Sequence, residues 1–336
     1  MYISKSFIVL VNYKSWKDTI ECLESIYKLS YKNIQILIID NSPSNESIEN
    51  ITKWANGSIE TIYTSFKELV YPLEQKPLEY KFLKEKDLLK KVYSEKLLII
   101  KALHNSGFSA ANNIGLKYIN KVANKEDSVW LLNNDTVVSK NALTNLIQRF
   151  DEIQNCGILG SKLIEYNSPD TIQAIGGNYN SWLGKITMVG QNLPITEECN
   201  NVKFDYPIGA SMFIKVNYLK QVGLMEEKYF LYFEEYDWVL RGKKKGYQAS
   251  IAFDSVVYHK GGGSSGGTSS QLADFYGIRS KILFTKKFFP LKLPLLYISF
   301  TFFIINRIKR KQYNRITQLF KIVKNPNIQY DERNNK

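Results

Sequence analysis

Apolar positions in the first half of the chain fall into short unbroken runs separated by amphipathic segments. Residues 7–11 are wholly apolar, the pattern of a strand buried on both faces. Over 18–29, Ile20, Leu23, Ile26 and Tyr27 recur at helical spacing. Residues 34–39 form a second buried run ending at Asp40, 97–100 a third and 128–132 a fourth, with a helical pattern over 108–119. Strands alternating with helices predict an α/β fold with a mostly parallel sheet flanked by helices. Such sheets bind ligands at the carboxyl ends of their strands. Asn12, Asp40, Asn105 and the run Asn133-Asn134-Asp135 all stand just past a predicted strand.

Residues 66–96 break this rhythm. They are rich in Lys and Glu, contain Pro72 and Pro77, and read as an insertion, helical and lying over the sheet edge. The second half is less regular. It predicts a turn at Gly176-Gly177, a strand over 211–216, a helix over about 234–246, a strand over 250–258 and a glycine–serine loop over 261–270. Residues 288–305 are apolar except for Lys292, Pro290, Pro294 and a few hydroxyls. Their uninterrupted part, 293–305, is shorter than the roughly 20 residues that span a bilayer. An interfacial or re-entrant helix fits that length, as does a helix packed on the rest of the protein or on a second subunit. The expected organisation is one α/β domain over 1–270 and a C-terminal helical extension over 271–336.

Charge sharpens the second region. The net charge is +13, and residues 275–330 hold twelve Lys and Arg with no Asp or Glu. A nucleic-acid binder would carry its excess through the folded core, so no nucleic-acid partner is expected. A basic tail beside an apolar run predicts an anionic membrane surface. Cys22, Cys156 and Cys199 are far apart and show no metal-ligand spacing, which predicts reduced thiols. No charged and apolar leader precedes the first strand, so no signal peptide is expected. The expected location is cytoplasmic, peripheral to the inner face of the cell membrane.

Several acids and one histidine carry candidate chemistry. Asp135 at a strand end suits a hard divalent cation that bridges phosphate oxygens, although Asn-Asp runs are also ordinary turns. Asp40 can accept the imide N–H of uracil or thymine, or cap a helix. Glu234-Glu235-Tyr236-Asp237 follows the aromatic run Tyr229 to Phe233. Acids beside bulky apolar groups have raised pKa values, which suits a general base, and acids also favour helix N-termini. His259 ends a strand and can complete a metal site. Residues 261–266 match G-x-G-x-x-G, but no acid follows at the distance a ribose would need, so a loop closing over phosphates fits better than a dinucleotide site.

Taken in order, these segments resemble family 2 glycosyltransferases of the GT-A fold, in particular a bacterial rhamnosyltransferase-like branch. Val11-Asn12-Tyr13 resembles that family's V-N-Y-N opening, and Asp40-Asn41-Ser42 with Ser44 its D-N-x-S segment. Residues 105–115 match N-x-G-F-x-x-x-N-N-x-G closely. Leu132 to Thr136 resembles the metal-binding L-N-P-D-T, residues 209–214 an acceptor-side segment, 230–241 the segment F-x-Y-x-E-D-x-D-L-x-x-R, and 275–280 the segment Y-Y-x-x-R-N. Three departures stand out: Asn133 replaces the first Asp of D-x-D, Glu235 replaces the Asp of the E-D pair, and Trp238 replaces a Leu.

The resemblance implies an inverting transfer from a nucleotide-diphosphate sugar, a UDP- or dTDP-sugar with dTDP-rhamnose as a candidate, to a glycan or polyprenyl-linked acceptor in surface polysaccharide synthesis. It implies that Asp135 and His259 hold Mg²⁺ or Mn²⁺. Glu235 is favoured as base with Glu234 beside it. Asn12, Tyr13, Asp40, Asn105, Gly107, Phe108, Asn112, Asn133, Asn134 and Arg279 are implied in nucleotide-sugar binding. A homo-oligomer is compatible with this reading. The rival readings are a non-catalytic nucleotide-sugar-binding subunit and a sugar-phosphate nucleotidyltransferase. The latter class needs a glycine-rich N-terminal loop, and residues 12–19 contain no glycine.

Overall fold

The computed structural model describes residues 4–197, 202–261 and 270–330. Cys199 and all but the ends of the predicted glycine–serine loop lie outside them. In chain order the first half comprises β1 (Ser6–Asn12), α1 (Trp16–Tyr27), β2 (Ile34–Asp40), α2 (Glu46–Ala55), α3 (Lys67–Val70), β3 (Tyr80–Lys84), α4 (Glu85–Leu88), β4 (Leu97–Lys101), α5 (Phe108–Val122), β5 (Ser128–Asn133) and β6 (Thr136–Val138). Then follow α6 (Ala142–Glu152), β7 (Cys156–Glu165), β8 (Ile172–Ala174), β9 (Gly176–Asn180), β10 (Lys185–Val189), β11 (Ser211–Lys215), α7 (Val216–Val222), α8 (Glu234–Lys243) and β12 (Gln248–His259). The chain closes on α9 (Gln271–Phe288), α10 (Leu293–Lys309) and α11 (Tyr313–Lys324).

The main sheet runs β3-β4-β2-β1-β5-β11-β7-β12-β6, with β8 paired to β7. β3, β4, β2, β1 and β5 are mutually parallel, β12 is parallel to β7, and β11 and β6 run antiparallel to their neighbours. Strands β1 and β2 have no exposed position, as their apolar runs require, because helices cover both faces. One face packs Ile8, Leu10, Ile36 and Ile38 under α1 and α2, and the other packs Val9, Leu37 and Ile39 under α5. A Cβ at Gly115 would stand 3.1 Å from Val9 Cγ1, so a glycine lets α5 lie close on β1.

Two expectations change. Residues 66–96 do not place a helix over the sheet edge. They add β3 as a parallel edge strand beside β4, mostly exposed with Leu83 buried, so no period-two pattern marked it as a strand. Gly176-Gly177 is not a turn but the start of β9. A Cβ at Gly177 would stand 2.4 Å from Tyr206 Cζ, so the glycines admit an aromatic ring against the strand. Cys22 and Cys156 are buried free thiols, and burial pushes both up to about 12.

The last three helices form their own apolar cluster, centred on Phe275, Ile282, Leu296, Phe300, Leu319 and Ile322. Residues Pro290–Lys309 are the one stretch among the described residues long and apolar enough to cross a membrane, with mean hydropathy 1.4 and 11% of the window buried.

Candidate active site

Strand register builds the first part of the site. β6 pairs antiparallel with the end of β12, setting Thr136 opposite His259. Asp135, the residue before β6, therefore abuts the imidazole, with Oδ1 3.2 Å from Nε2. On the other side His259 Nδ1 lies 2.6 Å from Gln173 Oε1. The orientation of that amide follows from its nitrogen, which donates to Glu165 Oε2 at 3.2 Å and to the His259 carbonyl at 3.1 Å. A carboxamide oxygen only accepts, so Nδ1 carries the proton and donates. Nε2, 3.3 Å from Asn133 Nδ2, faces Asp135: it donates to that carboxylate when the ring is protonated and offers a lone pair when the ring is neutral. Two bare acceptors at this distance repel unless a proton or a cation stands between them.

Burial pushes the Asp135 carboxyl up, but the hydrogen bond and charge of His259, a backbone N–H and Lys260 outweigh it, and the group sits below the usual carboxylate range. It is an anion at neutral pH. Lys260 secures the corner: its N–H donates to the Asp135 carbonyl at 3.0 Å, and Nζ reaches Asp18 Oδ1 at 2.6 Å and Glu21 Oε2 at 2.5 Å on α1. No group of three or more His, Cys, Asp and Glu able to hold a metal occurs among the described residues. One carboxylate and one imidazole suit Mn²⁺ or Mg²⁺ when other oxygens, such as those of a diphosphate or water, complete the shell.

The pair opens into a cleft of about 850 Å³ at the carboxyl ends of the parallel strands. Tyr13, Asn41, Asn105, Gly107, Phe108, Asn133 and Asn134 line it, and Phe230, Leu231, Tyr232, Leu272, Tyr276, Gln329 and Tyr330 close the other side. Asn41 Nδ2 donates to Asn105 Oδ1 at 2.8 Å. Asn134 Nδ2 is held by Ser15 Oγ at 2.7 Å and Thr19 Oγ1 at 2.8 Å. Gly107 has φ +95°, and a Cβ there would stand 2.3 Å from the Phe230 carbonyl oxygen, which accepts from the Phe108 N–H at 2.8 Å. A glycine is required at 107 on both counts. This contact ties the 105–115 segment to the aromatic run that leads into α8.

Other residues singled out in the sequence stand back from the cleft. Asp40 is fully buried and does not line it. Its Oδ1 accepts from Asn12 Nδ2 and from Ser42 Oγ, each at 2.7 Å, and its Oδ2 from Lys101 Nζ at 2.7 Å. Lys101 also donates to the carbonyls of Ser42 and Ser44, so Asp40 organises the loop that presents Asn41. Asn12 is buried, bonding Asp40 and Thr19. Asn112 donates to the Phe108 carbonyl within α5. Arg279 is buried in α9, donates to the Lys228 carbonyl at 2.8 Å, and lies off the cleft wall. Gln173, Lys101, Leu272, Gln329 and Tyr330 carried no motif. Their roles arise from strand register and helix docking.

Glu234 and Glu235 open α8. The two residues before them, Tyr232 (φ 68°) and Phe233 (φ 73°), are left-handed without being glycine, which costs about 1–3 kcal/mol each. The buried Oε2 atoms of both glutamates have no hydrogen-bond partner. Burial and the neighbouring Glu235 push Glu234 well up, and burial pushes Glu235 up to about 7 against opposing backbone hydrogen bonds. The carboxylate of Glu235 sits behind the cleft wall: a Cβ at Gly209 would stand 3.5 Å from Glu235 Oε1 and 4.0 Å from the Phe108 ring. The next residue, Ala210, accepts from the Asn133 N–H at 2.9 Å. Asp237, by contrast, is spent on structure, receiving Arg241 Nε at 2.6 Å, Lys287 Nζ at 2.5 Å and the Tyr229 hydroxyl at 3.1 Å.

Residues 89–273, more than half the chain, match the family model described as glycosyltransferase like family 2. A hexosyltransferase of low-salt glycan biosynthesis, Agl10 of Haloferax volcanii, is 23% identical over 243 residues, covering 71% of this chain and 61% of its own length. Among solved structures, the mannosyltransferase PcManGT of Pyrobaculum calidifontis, in complex with GDP-Man and Mn²⁺, superposes with TM-score 0.51 at 11% identity, over 90% of this chain and 75% of that one. TarS of S. aureus gives TM-score 0.46 at 14% identity, covering 83% of this chain and 39% of its own. The chain thus spans under two thirds of the length of the first relatives it matches. The fold shared with the mannosyltransferase is GT-A, a mixed, mostly parallel sheet flanked by helices.

Two predictions follow from this geometry. Replacing Gln173→Ala frees the imidazole tautomer, and Mn²⁺ affinity measured by calorimetry falls roughly 10–100-fold. The Glu pair makes the second. A carboxyl whose folded pKa is raised binds more protons folded than unfolded, so its burial destabilises the fold increasingly as pH rises from the unfolded value toward about 7 and stays so above it. Glu235→Gln therefore melts higher than wild type at pH 8, and the difference disappears near pH 4.

Proposed function

The chain belongs to the glycosyltransferase like family 2, and on that premise we propose that it transfers a sugar, with inversion, from a nucleotide-diphosphate sugar to an acceptor hydroxyl. The observation that carries this reading is the Asp135–His259 pair, a carboxylate and an imidazole 3.2 Å apart, opening into a cleft beside a buried carboxylate pair. The complex of the mannosyltransferase with GDP-Man and Mn²⁺ supports a sugar nucleotide and a divalent cation here.

Asn41 and Asn105 stand where a nucleobase would be read, with Asp40 and Lys101 holding their loop from behind. A UDP- or dTDP-sugar is the proposed donor class. Asp135 and His259 would hold Mg²⁺ or Mn²⁺, which would supply positive charge to a departing diphosphate. Glu235 takes the proton of the acceptor hydroxyl. As that oxygen bonds to the anomeric carbon, the bond from carbon to the diphosphate oxygen breaks, and the diphosphate leaves with its electron pair. Burial holds the Glu235 carboxyl up to about 7, so it can take up and release a proton near neutral pH. The acceptor is a glycan or a polyprenyl-linked glycan at the cytoplasmic face of the membrane, reached by a protein that sits on that face through its C-terminal helices.

Incubation with UDP-, dTDP- and GDP-sugars and Mn²⁺ tests the reading. Metal-dependent release of nucleoside diphosphate, abolished by EDTA, is the expected result. Release of pyrophosphate would indicate a nucleotidyltransferase, and metal-dependent binding without turnover would leave a non-catalytic subunit. Glu235→Gln lowers kcat about 10²–10⁴-fold with donor affinity intact. Wild-type kcat/KM rises with pH through about 7, where Glu235 loses its proton, and the variant lacks that limb.

A further inference from the structure

We propose that the β9–β10 hairpin tip and the outer face of α10 form one surface that docks on an anionic lipid bilayer. The proposal rests on the reading of α10 as membrane-facing and adds to it an element more than a hundred residues earlier in the chain.

α10 is apolar on two sides. Leu296 and Phe300 are buried against α9 and α11, with Leu293, Tyr297 and Ile304 beside them. Leu295, Ile298, Phe302, Ile305 and Ile308, with Leu291 just before the helix, recur at spacings of three or four and are all exposed. Helix packing accounts for the first stripe and leaves the second uncovered.

The hairpin tip extends that second stripe. Trp182 and Leu183 are 61% and 59% exposed. Lys292, at the start of α10, lies 4.3 Å from the Trp182 ring centroid and donates to Ser181 Oγ at 2.6 Å. Gly184 (φ +60°) seats the tip, since a Cβ there would stand 2.4 Å from Leu296 Cδ1. The two elements are therefore in contact, and each carries exposed apolar residues.

Charge complementarity selects the occupant. The apolar band is bracketed by Lys292 at one end and by the exposed Lys309, Arg310 and Lys311 at the other, while Arg307 is paired with Asp274. The Lys292 ammonium lies over the Trp182 ring, a cation–π pair suited to the headgroup boundary, where tryptophan and cationic groups meet anionic lipid. Docking of α10 along its length on α9 and α11 favours a helix lying in the interface over one crossing it.

Flotation of the full-length chain with vesicles tests this, comparing phosphatidylcholine alone with a mixture containing phosphatidylglycerol. Wild type is expected to float with the anionic vesicles. W182S/L183S, confirmed as folded by circular dichroism, is expected to bind them roughly tenfold more weakly. K309E/R310E/K311E is expected to lose the preference for anionic lipid. If wild type binds no vesicles, the membrane reading and this proposal both fall. If wild type floats and W182S/L183S floats equally well, the hairpin's part falls while that of α10 stands. Sedimentation showing a wild-type dimer that W182S/L183S converts to monomer, with flotation unchanged, would assign the tip to a second copy instead. Donor turnover measured without vesicles reports separately on the enzymatic reading.

Discussion

Backbone pairing between β6 and the end of β12 sets Thr136 opposite His259, and every contact of the Asp135–His259 pair depends on that register. Residues more than 120 positions apart become neighbours because two strand ends share hydrogen bonds. A one-residue slip would turn the imidazole to the other face of the sheet. The surrounding contacts resist such a slip. Lys260, one residue on, is clamped by Asp18 and Glu21 of α1, and Gln173 on the neighbouring β8 holds the ring from the other side. Three segments thus converge on one imidazole, and none of them can move without breaking a buried polar contact.

The glutamate pair follows the opposite logic. Nothing neutralises it: two adjacent carboxyls are buried with oxygens lacking partners, behind two left-handed residues that have side chains. Both features cost folding free energy, and the neighbouring contacts offset it. Arg241 and Lys287 satisfy Asp237 in the same helix, and the aromatic rings of Phe233, Tyr236, Phe284 and Tyr179 pack around it. Local instability held in place by a rigid surround is a common property of reacting groups. It separates Glu235 from Asp237, which is as acidic in sequence but is committed to ion pairs.

The C-terminal helices do more than cover apolar surface. Leu272 and Tyr276 from α9, with Gln329 and Tyr330 beyond α11, form one wall of the cleft, and Tyr276 stacks on Phe230 with ring centroids 4.2 Å apart. The same helical unit presents the exposed stripe of α10 on its outside. One packed cluster therefore borders both the cleft and the surface argued to face lipid, which links access to the site with the placement of the molecule.

The sequence by itself determined the parallel half of the sheet, because long apolar runs admit few other structures, and it marked Asn133-Asn134-Asp135 and Glu234-Glu235 by their place at strand and helix ends. It also marked Asn105, Gly107 and Phe108 through a motif whose glycine the backbone requires. It did not reveal β7, a central strand whose run is broken by Gly157, Gly160, Ser161 and Lys162, nor the short edge strand β3, which buries only Leu83. Only the tertiary structure decided which acids face the cleft. Asp40 and Asp135 both close a strand in sequence, yet Lys101 and Asn12 enclose the first, whereas the second meets His259 at the cleft wall. The difference is one of long-range pairing: a carboxylate's neighbours across a sheet are set by register and packing, and neither is written in the residues beside it.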